Sequence, residues 1–185
     1  MVTANTRLRL VTRTWVGQKL TQIFGSSAST AVNALVLAQN AAFGGPCDIY
    51  NGVFKGYEGY FKQETVGGDC PSMADTQDPM VPSPSSARAA FMIRTCDLIV
   101  SQDAAVYNAA GLAEGVTGLT SLSAAPTSTQ INALYSLFYD QTPDPSEITA
   151  LASVSAQATS LGYPAIESWR FVLQTLCNAP DWQVP

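Results

Sequence analysis

Asp144-Pro145-Ser146-Glu147, continuing to Leu161-Gly162-Tyr163-Pro164, reads as one helix with both ends marked. Asp144 is the N-cap. Pro145 takes the first helical position, where a missing N–H costs nothing, and Glu147 stands at N3, where its carboxylate reaches back to the cap amide. Gly162 supplies the left-handed residue that ends a helix, and Pro164 prevents continuation.

The neighbouring segments follow the same 3.6-residue period. Residues 165–178 form the last helix, with Trp169, Val172, Leu173, Leu176 and Cys177 inward and Pro180 beyond it. Residues 127–139 are helical through Ile131, Leu134, Tyr135 and Phe138. Ser83 with Pro84 at N1 is expected to open a helix whose inner stripe is Ala89, Met92, Ile93, Cys96, Ile99 and Val100, with Arg94 and Asp97 off it. A shorter helix over 101–110 and a small-residue connection over 111–126 follow. Thr12 caps the first helix, with Val11 before it as a hydrophobic staple, and Val16, Leu20, Ile23 and Phe24 facing in before Gly25. A second helix over 29–40 runs through Val32, Leu35 and Val36 and contains no charge, as expected of a buried or partner-covered element.

Between these lie two less regular stretches. In 46–64, Tyr50, Phe54, Tyr57 and Phe61 fall on one helix face, while Gly52, Gly56 and Gly59 each cost helix about 1 kcal/mol. Asn51-Gly52 is also a hairpin turn signal, and helix is the preferred reading. Residues 66–82 form a long loop rich in Pro, Gly and Asp, in which Asp69, Asp75 and Asp78 do not match a calcium-loop spacing. The chain as a whole, 1–185, is expected to be a single all-α domain, a bundle of six to seven helices with one long disulfide-stapled loop.

Charged residues are 12% of the chain, about half the roughly 25% of an ordinary soluble domain. The net charge of −5 is unevenly spread: Arg7, Arg9, Arg13 and Lys19 give residues 1–47 a charge of +4, and the remainder carries −9. This basic set is the candidate contact patch, suited to a head-to-tail contact between copies or to an acidic partner. The plainer reading is that both patches are solvated or neutralise each other. An acidic chain with few Lys and Arg argues against nucleic acid. No apolar stretch reaches the roughly 20 residues a membrane span needs, and no signal-peptide pattern precedes the first helix.

Cys47, Cys70, Cys96 and Cys177 have neither metal-site spacing nor a histidine to complete a zinc site, since the chain contains none. An even count at wide separations fits two disulfides in an oxidising compartment. Of three connectivities, Cys47–Cys70 and Cys96–Cys177 are preferred. The first pair flanks one excursion, and the second lies on the apolar stripes of two predicted helices. Buried free thiols are the alternative for the second pair. The expected location is therefore extracytoplasmic, with any export signal lying outside this sequence.

Arg7-Leu8-Arg9-Leu10-Val11-Thr12-Arg13, closing at Ile23-Phe24-Gly25, resembles the opening helix of helical domains in planctomycete-type cytochrome-associated proteins. Leu134-Tyr135-Ser136-Leu137-Phe138, then Pro143-Asp144-Pro145-Ser146-Glu147, then Trp169-Arg170, Cys177, Pro180 and Trp182 are similar to the closing segment of related secreted bacterial envelope proteins. The two stretches cover about a third of the chain. Trp15-Val16 stands where the family carries an acid–aromatic pair, and the haem-binding part is absent. The resemblance implies an exported all-helical module and transfers no catalytic residue and no cofactor.

Three functional classes remain. The first is a structural or interaction domain, acting on a protein partner or on itself through a low-charge surface. The second is a small-molecule carrier with a cavity lined by Tyr50, Phe54, Tyr57 and Phe61. An enzyme is the third and least favoured, because histidine, the usual base near neutral pH, is missing. Carboxylate pairs such as Asp97 with Asp103, or Glu58 with Glu64, read more simply as solvated helix faces, and no C-x-x-C supports a reactive thiolate.

Overall fold

The computed structural model describes residues 10–43, 85–139 and 141–184. Within them the fold is all-helical. The elements are α1 (Arg13–Phe24), a 3-10 turn (Gly25–Ala28), α2 (Ser29–Val32), a π turn (Asn33–Leu37), α3 (Asn40–Phe43), α4 (Ser86–Val100), α5 (Asp103–Glu114), α6 (Ser128–Phe138), α7 (Pro145–Ser160), α8 (Ala165–Asn178) and a closing 3-10 turn (Asp181–Gln183). α7 and α8 form a helical hairpin, and α8 also packs on α4, α5 and α6. It is therefore the axis of the bundle. Its inner stripe, Trp169, Val172, Leu173, Leu176 and Cys177, is buried as its spacing requires.

The caps behave as local chemistry dictates. Asp144 and Glu147 form a reciprocal capping box, as do Thr127 and Gln130 on α6. Thr12 Oγ1 accepts from the Trp15 amide. Gly25 ends α1 at φ +71°, and the Asn108 side chain reaches across from α5 to donate to Ile23 O at 2.9 Å.

Four expectations need correction. Ser85, not Ser83, caps α4; Ser83 and Pro84 lie outside the described residues. The single helix expected over 29–40 is interrupted by the π turn, which closes with Ala38 N donating to Asn33 O at 3.0 Å and whose last carbonyl, Leu37 O, accepts from Arg13 Nη1 at 2.6 Å. There Gly17 lets α1 approach so closely that a Cβ would sit 3.1 Å from both Leu37 and Val32 side chains. The helix after Ser101 runs on to Glu114, past Gly111, so the irregular connection starts at Gly115. On α4, Ala89 and Ile93 are exposed; the inward positions are taken by Arg88, Met92, Thr95, Cys96, Ile99 and Val100.

The connection between α5 and α6 is held to the core by the Trp169 indole, which donates to Ala124 O at 3.0 Å. No described helix is long and apolar enough to cross a membrane.

Candidate functional site

Two polar seams fix the bundle, and the surface they support is the candidate site. The first seam joins α8 to α4. Cys96 and Cys177 are disulfide-bonded, both fully buried, with Cα atoms 5.9 Å apart. Nearby along α8, Gln174 Nε2 donates to Asp97 Oδ1 at 2.6 Å. A turn further back, Arg170 donates to Val100 O and Ser101 O at 3.1 and 3.3 Å, placing a cation on the C-terminal carbonyls of α4. The same guanidinium pairs with Asp103 and Glu167. Asp97 and Asp103 are thus occupied separately and do not form a shared carboxylate pair.

The second seam is built around Arg88, at the third position of α4 and 3% exposed. Its Nε donates to Gln183 Oε1 at 2.9 Å, Nη1 to Phe43 O at 3.3 Å and Nη2 to Val11 O at 3.1 Å. The guanidinium lies 4.9 Å from the centre of the Phe43 ring. Every acceptor is neutral. Burial without a counter-charge lowers the guanidinium to about 10, still charged at neutral pH. Val11 N donates to Gln183 O at 2.8 Å, so the two ends of the described chain are tied at this one cation.

Outside this frame, α7 beyond its first turn and the α7–α8 turn present an uncharged surface. No charged residue occurs from Ile148 through Ile166. Thr149 and Ser153 lie on the exposed side of α7, and their hydroxyls donate back to Pro145 O and Thr149 O at 2.8 and 2.9 Å. Those hydroxyl hydrogens are used within the helix, so the exposed hydroxyls face solvent as acceptors. At the adjoining turn Leu161 is 68% exposed, and Tyr163 packs edge-on against Phe171 at 5.7 Å, both rings reaching solvent.

An open depression of about 330 Å³ lies at the end of α6, lined by Asn132, Ser136, Tyr139, Gln141, Thr142 and Pro143. Beside it Tyr135 and Tyr139 stack at 4.2 Å. Burial raises both phenols, Tyr139 to about 12 with the neighbouring Tyr135, Asp181 and Glu147 adding to the shift. The lining is polar, unlike the apolar interior a hydrophobic carrier needs.

Of the residues singled out by sequence, Cys96 and Cys177 are brought together as expected. Cys47, Cys70, Arg7, Arg9, Tyr50, Phe54, Tyr57 and Phe61 lie outside the described residues. Arg13 is turned to the π turn and Lys19 sits 5.6 Å over the Trp15 ring. Among the described residues no group of His, Cys, Asp and Glu can hold a metal. Arg88 was invisible in sequence, since its acceptors lie 45 to 95 positions away. No protein-family model, curated protein or solved structure matches the chain.

Proposed function

We propose that the chain is an extracytoplasmic structural and interaction domain that associates with copies of itself through its low-charge surface, and that it is not an enzyme. The observation that carries this reading is the uncharged outer face of α7, continuous in sequence with the exposed Leu161 and Tyr163 and with Phe171 against the latter. Large exposed apolar groups in a neutral surround are the common mark of a contact surface. The disulfide is consistent with an oxidising location. The resemblance to exported helical modules of bacterial envelopes points the same way.

Light scattering on the oxidised chain tests the proposal. The wild type is expected to gain mass with concentration, and Tyr163→Glu with Phe171→Glu to shift it toward monomer. A wild type that stays monomeric at high concentration contradicts the reading.

A further inference from the structure

Among the described residues, the connection from α5 to α6 is the longest stretch without regular structure. Seven of the thirteen residues from Thr117 to Thr129 are Ser or Thr, with Pro126 among them, and no charged residue occurs from Gly115 through Tyr139. The course of the segment is nevertheless fixed. Val116 N donates to Gly111 O at 2.8 Å, Leu119 and Leu122 pack on the core, and Ala124 O takes the Trp169 indole at 3.0 Å. Pro126 is buried and Thr127 caps α6. Between these anchors Thr117, Thr120, Ser121 and Ser123 are all exposed. Among the described residues their hydroxyls make no hydrogen bond, and neither does the backbone of residues 117–123. The hydroxyls of α7 differ: those of Thr149, Ser153, Thr159 and Ser160 donate to carbonyls of their own helix.

We infer that these four hydroxyls are acceptors for O-linked sugar, which makes the α5–α6 connection a glycosylation site of the chain. An uncharged Ser/Thr-rich stretch with proline is the composition that carries O-linked sugar. A transferase must reach the hydroxyl and the backbone around it, and here both are unoccupied on a surface segment that the core already holds in place. The co-reactant is a sugar activated as a diphosphate ester. The Ser or Thr oxygen forms a bond to the anomeric carbon. The bond from that carbon to the phosphate oxygen breaks, its electron pair leaves on the diphosphate, and the hydroxyl proton passes to a base of the transferase. Nothing is oxidised or reduced. Phosphate fits less well, because no Lys or Arg lies in the segment to pair with its charge. Attachment to asparagine is not available, since the sequence contains no Asn-x-Ser/Thr.

The test is site-resolved peptide mass spectrometry of the chain purified from the cells that make it. Whole-sugar mass increments are expected on Thr117, Thr120, Ser121 or Ser123, released by alkaline β-elimination, with Thr149 and Ser153 bare. Combining Thr117→Ala, Thr120→Ala, Ser121→Ala and Ser123→Ala is expected to remove every increment. Circular dichroism and the urea midpoint should stay as in wild type, because none of the four hydroxyls is bonded within the fold. An unmodified segment overturns the inference. So does a phosphate increment there, or sugar confined to other positions. Should the combined variant not fold, the wild-type map decides alone. Neither result depends on whether the chain associates with itself.

Discussion

Arg88 places a buried cation in the first turn of α4, where the helix dipole is already positive, and surrounds it with neutral acceptors. Its value lies in what it satisfies: two backbone carbonyls and a glutamine amide from three distant parts of the chain. Arg88→Met leaves these acceptors buried without donors, and offsets that only partly by removing a desolvated charge. The expected loss is about 3 kcal/mol in urea unfolding. Arg88→Lys is expected to recover little, because a point ammonium cannot replace a planar fork aimed at three acceptors. Tyr139 has an opposite dependence on protonation. Its folded phenol titrates near 12 against an ordinary 10, so it favours folding below pH 10 and loses that contribution as the pH rises from 10 to 12. The wild type should lose about 1 kcal/mol from this group by pH 11, and Tyr139→Phe should lose correspondingly less. The lowered Arg88 value works in the other direction above pH 10, so the comparison of wild type with Tyr139→Phe, not the wild-type curve alone, isolates the tyrosine.

At the scale of elements, α4 and α8 are joined by one covalent and several polar links along one seam. The disulfide closes a sequence separation of 81 residues, which the chain-entropy account values at about 4.5 kcal/mol. Replacing both Cys96 and Cys177 by Ala should lower stability by up to about that amount, measured by urea unfolding of the oxidised chain against the variant. The helices of this seam differ in how well their sequences foretell them. α7 is legible because its cap, proline and terminal glycine are all local signals, and α8 because its apolar residues keep strict helical spacing. α4 is half legible: its helical period is plain, but Arg88 and Thr95 face inward where the apolar pattern points to Ala89 and Ile93, and the acceptors that make Arg88 inward lie far away in the chain. The π turn at Asn33–Leu37 has no local signal, and the partners that meet it, the Arg13 side chain on Leu37 O and the close approach of α1 at Gly17, arrive from a distant part of the chain. Gly111 is a similar case. In sequence it looks like a helix end, yet it lies inside α5, and glycine is required there because a Cβ would come 2.5 Å from Val116 O as the chain folds back. The candidate surface was legible only as an absence of charge. Which side of α7 faces outward is decided by tertiary packing.

For the whole molecule, two modes of association follow from different features of the chain. A head-to-tail contact driven by the +4 and −9 division of charge would weaken steeply with salt. Contact through the uncharged α7 face and the Leu161–Tyr163–Phe171 surface would not, and sulfate would strengthen it by favouring burial. The account predicts the second behaviour: the association constant should change less than about twofold between 50 and 500 mM sodium chloride. The most direct measurement is sedimentation velocity of the oxidised chain of residues 1–185 from about 1 μM to 1 mM at both salt concentrations, a range that covers the weak end of protein association. The account predicts a concentration-dependent shift from monomer to a larger species that persists at high salt. A single monomeric boundary across the whole range would contradict it.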